Sequence, residues 1–281
     1  GQNNYSYDGL LLKEIFKTNL AGNIIVQKSF SYIDNQIKEI NLNLERKTIK
    51  YQYYNNGLRA KKTIYSTPNN SIIDEINYIY DNGKLVFEKH SSFYLRFNYT
   101  QLNKLYSIEK FNINNDRMWI YYYIVDAYND VYGLINNNHE VVVSYLYDPF
   151  GKLIEVIDNS NIDLSNINPF RYKSYYYDNE TKYYYLNSRY YDPIIARFIN
   201  PDSVEYLDHQ SINGLNLYAY CGNDPVNKYD PTGHSAILIG LIIGAVIGAA
   251  IGFGTAAYID YKDDGQVFNG SVEWYDYLGA T

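Results

Sequence analysis

The sequence has little of what metal, redox or nucleic-acid chemistry requires. Cys221 is its single cysteine, so no disulfide can form within the chain. We interpret this thiol as a small buried apolar group rather than a nucleophile. Lys and Arg number 24 against 31 Asp and Glu, and no basic run occurs. Because nucleic-acid surfaces need clustered positive charge, we expect the chain to bind no nucleic acid.

Histidine is also scarce, and its spacing is uninformative. The four histidines are His90, His139, His209 and His234. They do not show the spacing of metal ligands, and no glycine-rich phosphate loop follows a predicted strand. We therefore expect no metal and no cofactor.

Tyrosine is what the sequence has in excess, with 36 residues in a chain of 281. Its ring packs on a pleated, half-buried surface while its hydroxyl reaches water or a partner. Asparagine is abundant too, and it favours turns because its side chain bonds the local backbone. The composition therefore predicts a fold that is mainly β.

A short unit recurs over residues 5–153. It reads Tyr-x-Tyr, then Asp or Asn with Gly, then Leu, and four copies begin at Tyr5, Tyr51, Tyr78 and Tyr145, with a looser one at Tyr128. Tyr-x-Tyr places two rings on one face of a strand, and Gly takes the positive φ of a turn. Each unit is a β-hairpin that cannot stand alone. A generic antiparallel sheet would share the alternation, but the constant residue order favours a repeat of stacked hairpins.

A longer ordered motif follows the repeats. Its segments are residues 168–172, 183–193, 196–202, 214–220, 222–227 and 230–233. The repeats resemble the YD repeat, and this motif is similar to the RHS repeat-associated core domain almost from end to end. Together the two resemblances cover residues 1–234.

The resemblance implies a fold, a division of the chain and a function. The expected fold is mainly β, with the stacked antiparallel hairpins of a YD-repeat strip forming part of a hollow shell, followed by a short apolar helical segment. The expected domains are a strip at 1–153, the core domain at 154–234 and a variable segment at 235–281. Such shells enclose a C-terminal effector, often a toxin. The expected partners are that effector and an immunity protein against it.

The resemblance also implies a place for the protein. Members of the family are bacterial and are secreted or associated with the cell surface or cell wall. The chain begins at Gly1, without an initiator Met or a signal peptide. We therefore expect it to be part of a longer protein.

The family cuts its own chain after a Pro-x4-Asp-Pro-x-Gly signature that ends in an apolar residue. The matching residues here are Pro225, Asp230, Pro231, Gly233 and, in the last place, His234. The expected scissile bond therefore joins His234 to Ser235. Relatives usually carry leucine or an aromatic residue where His234 stands.

Two carboxylates match the catalytic pair of the family, Asp202 and Asp230. Such a pair works when one member is ionised and activates water while the other, protonated, polarises the peptide carbonyl. Aspartates also begin turns, as Asp148 does, so residue type alone does not settle their role. The resemblance makes them the expected catalysts.

Three arginines of the core motif, Arg171, Arg189 and Arg197, are expected to stack on tyrosines or pair with aspartates. Of these, Arg197 is expected to support the catalytic site. The other expected supporting residues are Pro225, Pro231 and Gly233.

Ser235 allows a second route to cleavage. A serine that follows a strained bond can attack the preceding carbonyl and form an ester, which water then opens. His234 would assist as a base. The signal is only a dipeptide.

The amino-acid composition changes after Gly233. Residues 236–259 carry no charge, and glycine recurs at every fourth position, at Gly240, Gly244, Gly248 and Gly252. That spacing puts the glycines on one helical face, and the length would span a bilayer. The segment is interpreted as a membrane-inserting helix, a helix or hairpin packed inside the shell, or a linker.

Three functions follow from these observations. The first is a shell and self-processing module of an RHS-type polymorphic toxin, in which a single-turnover aspartic-type autoprotease releases the effector. The second is a non-enzymatic surface scaffold or adhesin built of YD repeats. The third is a membrane-active effector that works through residues 236–259.

Overall fold

Fourteen strands form one long antiparallel sheet in the computed structural model, which describes residues 2–203 and 216–234 and the backbone of 237–238. Each strand pairs with its neighbours in sequence. The strands are β1 (Asn4–Asp8), β2 (Leu11–Thr18), β3 (Ile24–Ile33), β4 (Gln36–Leu42), β5 (Lys47–Tyr53), β6 (Arg59–Ser66), β7 (Ser71–Asp81), β8 (Lys84–Lys89), β9 (Phe93–Tyr99), β10 (Leu105–Asn112), β11 (Arg117–Val125), β12 (Val131–Ile135), β13 (Val141–Tyr147) and β14 (Leu153–Asp158). This meander, the strip, confirms the predicted stacking of hairpins.

The core domain follows the strip as a set of short elements. These are α1 (Leu164–Ile167), β15 (Tyr176–Asp178), β16 (Tyr183–Leu186), β17 (Arg189–Asp192), β18 (Arg197–Phe198), β19 (Lys228–Tyr229) and β20 (Ile237–Leu238). Strands β15 to β18 form a four-stranded antiparallel sheet, and β19 pairs with β20. The strip ends at Asp158, and the division of the chain at residues 153 and 234 stays a prediction.

The second tyrosine of the repeat lies beside a β-bulge. The pairing register shifts between Ser6 and Tyr7 in the first hairpin, and between Ile79 and Tyr80 in a later one. The same shift occurs at Tyr53 and at Tyr147. A bulge leaves one residue of the partner strand out of the ladder, so a backbone group there needs another partner.

Tyrosine hydroxyls supply that partner. Tyr32 donates to the carbonyl of Leu12 at 2.8 Å, and Leu12 is the residue paired with Tyr7. Three more tyrosines repeat the bond on the hairpin before their own: Tyr53 to the Ile37 carbonyl, Tyr99 to the Leu85 carbonyl and Tyr147 to the Val131 carbonyl. These four hydroxyls therefore link four of the hairpins to the hairpin before them.

One face of the strip packs against the core domain. Fully buried Ile40, Ile49 and Ile108 of the strip belong to the same apolar cluster as Tyr183 and Tyr190 of the core domain. Burial of such side chains stabilises by roughly 1.5–3 kcal/mol each. The core domain thus closes over the strip through tyrosine rings.

No helix among residues 2–203 and 216–234 is long and apolar enough to cross a membrane. The glycine-spaced stretch at 236–259 lies outside the described residues, apart from the backbone of 237–238. Its three interpretations stay predictions.

Candidate functional site

Asp230 folds the loop that leads to the expected scissile bond. Its Oδ1 accepts backbone N–H groups from Thr232 at 3.2 Å, Gly233 at 2.8 Å and His234 at 3.2 Å. Its own N–H donates to the Tyr175 hydroxyl at 2.9 Å. An aspartate that bonds the N–H groups after it closes a local turn. The carboxylate therefore fixes the path of residues 231–234, which are called the cleavage loop.

The cleavage loop rests on the turn between β16 and β17. The Pro231 carbonyl accepts the Asn187 side-chain amide at 3.2 Å, and the Thr232 carbonyl accepts the Ser188 hydroxyl at 2.8 Å. Gly233 has a φ of +80°, and a Cβ there would collide with the Leu186 carbonyl oxygen. Only glycine combines that backbone conformation with so close an approach.

Arg189 connects the two expected catalytic aspartates. Its Nη2 lies 2.8 Å from Asp202 Oδ2 and 3.5 Å from Asp230 Oδ2. Its Nε donates to the carbonyl of Gly233, one residue before His234. The Phe198 ring stacks on the guanidinium, with its centroid 3.5 Å from Cζ. One arginine thus holds both carboxylates and the cleavage loop.

Asp202 has donors on both of its oxygens. Oδ2 faces Arg189, while Oδ1 lies 2.7 Å from the Nδ1 atom of His234 and accepts the Ser203 N–H at 2.9 Å. The Asp202 side chain is buried, and the His234 side chain is 33% exposed. The imidazole therefore covers the carboxylate on the side that solvent reaches.

Burial shapes the electrostatics of the site. It raises the pKa of the Asp230 carboxyl above its usual value and the Asp202 charge adds to the rise, while Arg189 and the loop N–H groups lower that pKa. Burial lowers the pKa of the Arg189 guanidinium, and the two aspartates oppose that shift. Arginine stays charged in proteins, so the single positive charge of Arg189 is shared between the carboxylates of Asp202 and Asp230.

A groove of about 1080 Å³ opens beside the cleavage loop. Arg189, Pro201 and His234 line it from the core domain, and Asp34 and Lys38 line it from the strip. A space of this size admits water to the site. His234 therefore lies between the Asp202 carboxylate and the groove.

The structure brings together most of the residues that the sequence indicates. Asp202, Asp230, Pro231, Gly233 and His234 meet at one place. Ser235 lies outside the described residues.

Two predicted supporting residues lie elsewhere. Pro225 lines a separate cavity with Tyr128 and Tyr147. Arg197 is exposed on β18, opposite Asp192. Its support of the site is therefore a correction, because alternation along a strand turns Arg197 outward while Phe198 points inward. Arg189 takes that role, and the pairing of core-motif arginines with aspartates was its signal in the sequence.

Two further residues behave as the sequence predicts. The Arg171 guanidinium stacks on the Tyr177 ring at 4.1 Å. Cys221 is buried, and burial raises the pKa of its thiol to about 12, which leaves it unreactive. In the described parts of the chain, no three His, Cys, Asp or Glu side chains are grouped closely enough to hold a metal ion.

Comparisons with known proteins agree with this architecture. The family model described as Teneurin YD-shell matches residues 113–226. A search of curated proteins finds no significant match.

Solved structures show the same fold at low identity. The crystal structure of TcdB2-TccC3-Cdc42 superposes with a TM-score of 0.59 at 17% identity, and that of TcdB2-TccC3-TEV with 0.58 at 15%, each over 82% of this chain. The Tc holotoxin pore of Photorhabdus luminescens superposes with 0.54 at 14% identity over 84%. The chain spans 13% of the length of each of these relatives.

These observations agree on one fold. Residues 113–226 match the YD-shell family model, and the solved structures share the fold of the strip and the core domain. The described part of the chain therefore has the fold of an RHS/YD-repeat shell.

Proposed function

We propose that this chain is the closing end of a toxin shell, which encloses a C-terminal effector and frees it by cutting between His234 and Ser235. The effector is the partner that the shell serves, and an immunity protein would protect the producing bacterium from it. The protein would act after secretion. The cut happens once in each chain, so a modest rate suffices.

One observation carries the proposal, namely the bridge that Arg189 makes between Asp202 and Asp230. The same arginine bonds the Gly233 carbonyl, and the Asp230 carboxylate binds the N–H of His234. A purely structural turn needs one carboxylate. Two carboxylates that both contact His234, the residue before the expected bond, would provide the acid and base chemistry that peptide cleavage requires.

The solved relatives support an effector after the shell. One of them is described as TcdB2-TccC3 without its hypervariable C-terminal region, and it matches with a TM-score of 0.58. Another is a holotoxin pore with an aspartate-to-alanine substitution in TccC3. We infer that residues 235–281 begin a comparable variable region.

The mass of the purified chain tests this function. Cleavage predicts two fragments, one ending at His234 and one beginning at Ser235. Asp202→Asn and Asp230→Asn should each leave the chain whole, with circular dichroism showing an intact fold. Asp81→Asn, which changes an exposed hairpin aspartate, is the matched control and should be cut like the wild type. A wild-type chain that stays whole would contradict the proposal.

A scaffold that does not cut is the second candidate, and the bonds of Asp230 favour it. Three N–H groups on Oδ1 are what a carboxylate with a purely structural role would accept. An uncut wild type that stays monomeric and folded would support this candidate.

A further inference from the structure

Lys173 is a buried lysine whose ammonium group has a poor hydrogen-bond partner. Its side chain is 4% exposed, and among the described residues its Nζ contacts a single oxygen, Asp130 Oδ2 at 3.4 Å. Lys62, with a side chain that is 3% exposed, has two carboxylate oxygens at 2.9 and 3.0 Å. An ammonium carries three N–H donors, and a buried charge needs close partners to offset the loss of water. As an ion pair, Lys173 and Asp130 are therefore poorly matched.

The backbone of Lys173 nevertheless holds the same carboxylate in place. The Lys173 N–H donates to Asp130 Oδ1 at 2.7 Å, so the backbone and the ammonium of one residue approach the two oxygens of one carboxylate. Lys173 and Ser174 have φ of +52° and +56°, in the left-handed region that residues other than glycine rarely adopt. The Ser174 hydroxyl fixes this turn on the strip by donating to the Asn129 carbonyl at 2.8 Å. The strained turn is therefore held in a form that keeps the Lys173 amine against Asp130.

Tyrosine rings line the surroundings of the pair. Nζ of Lys173 lies 5.1 Å from the ring centroids of Tyr128 and Tyr172, which hold the ammonium at the carboxylate. Burial raises the pKa of the Asp130 carboxyl, although Lys173 opposes the rise. Proton transfer from the ammonium to the carboxylate removes both charges, which burial favours. That transfer leaves a neutral amine, which is a nucleophile, beside a neutral carboxyl group.

We propose that Lys173 and Asp130 condense into a side-chain amide, which is a covalent cross-link between the core domain and the strip. Asp130 lies in the turn between β11 and β12, and Lys173 lies in the turn before β15. The cross-link explains the poor match of the ion pair, because an amide N–H is a single uncharged donor. The inference is independent of the proposed self-cleavage.

The condensation needs no other reactant. One ammonium proton moves to Asp130 Oδ2, and Nζ attacks Cγ of that carboxyl group. Negative charge then develops on Oδ1, where the Lys173 N–H stabilises it. A second proton passes from Nζ to Oδ2, the Cγ–Oδ2 bond breaks, and water leaves. One ammonium hydrogen stays on the amide, the other two leave in the water, and nothing is oxidised or reduced.

The surroundings suit both the attack and the departure of water. A cavity of about 260 Å³ adjoins the pair, and Tyr132, Asp148 and Val226 line it together with Lys173 and Asp130. The released water has room to leave through this cavity. Groups that are held in contact react with effective molarities of up to about 10⁵–10⁸ M, so the pair needs no enzyme to join it.

Mass spectrometry of the wild-type chain tests the cross-link. Asp130 and Lys173 stay on the same fragment whether or not the chain is cut after His234. We expect that fragment, or the whole chain, to be lighter than its sequence by about 18 Da, the mass of one water. Trypsin should release a single branched peptide that contains both residues. A mass equal to that of the sequence, with the two residues on separate peptides, would overturn the proposal.

Two variants show where the water is lost. Lys173→Arg keeps a cation beside Asp130 but removes the amine, so this variant should have the full mass of its sequence. Lys152→Arg changes an exposed lysine and is the matched control, which should keep the deficit of one water. A deficit that persists in Lys173→Arg contradicts the cross-link. The branched peptide of the wild type decides the question if the variant does not fold.

Hydroxylamine distinguishes the amide from a cyclic imide, which also forms with the loss of one water. Imides arise where aspartate precedes glycine, as Asp8 precedes Gly9. Hydroxylamine opens an imide and leaves a side-chain amide intact. The mass deficit should therefore survive this treatment, and its disappearance would rule out the cross-link.

Discussion

Arg59 Nη1 donates a hydrogen bond to Asp178 Oδ2 over 2.6 Å, with both side chains fully buried. The first residue belongs to the strip and the second to the core domain. Lys62 bonds the other oxygen of the carboxylate at 2.9 Å. Burial alone would raise the pKa of Asp178, but the two cations hold that pKa below its usual value. The interface between the strip and the core domain therefore includes a buried ion pair lined by tyrosine rings.

Removing the arginine should weaken this interface strongly. Arg59→Met leaves Asp178 buried beside Lys62 alone, and breaking a buried pair costs about 3–5 kcal/mol. Three tyrosine rings within 4.6 Å of the guanidinium, those of Tyr78, Tyr176 and Tyr185, also lose their cation. Urea denaturation followed by circular dichroism measures the loss. Arg46→Met, at an exposed turn, should change the free energy of unfolding by less than about 0.5 kcal/mol.

Tyr32→Phe tests the link between hairpins. The change removes only the hydroxyl that donates to the Leu12 carbonyl, so the free energy of unfolding should fall by about 1 kcal/mol. Tyr106→Phe is the control, because that ring is 52% exposed. Equal stability of the two variants would show that the link contributes nothing.

Gly233→Ala tests the seating of the cleavage loop. Its Cβ meets the Leu186 carbonyl, while Gly22, at a similar φ of +82°, has open space around the same position. Both substitutions carry the strain of a left-handed backbone, about 1–2 kcal/mol. We expect Gly22→Ala to be cut normally and Gly233→Ala to remain whole, by gel. If Gly233→Ala is cut normally, cleavage does not depend on the position of the cleavage loop.

The strip should become less stable at alkaline pH, where His90 loses its charge. Burial opposes its charge, but hydrogen bonds to Asp74 and Glu88 raise the pKa of the imidazole to about 9 from an ordinary 6.5. A raised folded-state pKa contributes stability that is complete below pH 6.5 and lost as the pH rises through 9. The free energy of unfolding should fall by on the order of 1–3 kcal/mol across that window. His90→Gln should flatten the profile, and His139→Gln should not.

Much of the fold was predictable because its signals are local. Tyr78 and Tyr80 with Gly83 specify a hairpin within a few residues, and repetition specifies the strip. The bulge at Tyr80 was not predictable, since a register shift depends on the partner strand. Nor was the meeting of Arg59 with Asp178, which joins residues far apart in the sequence by packing alone.

The candidate site, too, could be predicted from the sequence only in part. The cleavage loop could be found because Asp230, Pro231 and Gly233 form a contiguous motif. Arg189 was harder to find, since the sequence does not show which of the three core-motif arginines approaches the two aspartates. The contact of His234 with Asp202 could not be inferred, because it needs both the loop geometry and the end of β18.

The most direct test of the account is the intact mass of the purified chain, taken beside Asp202→Asn. We expect the wild type to appear as two fragments that separate between His234 and Ser235, and the variant as one folded chain. A single full-length mass for the wild type, or the same cut in both proteins, would contradict self-cleavage at this site.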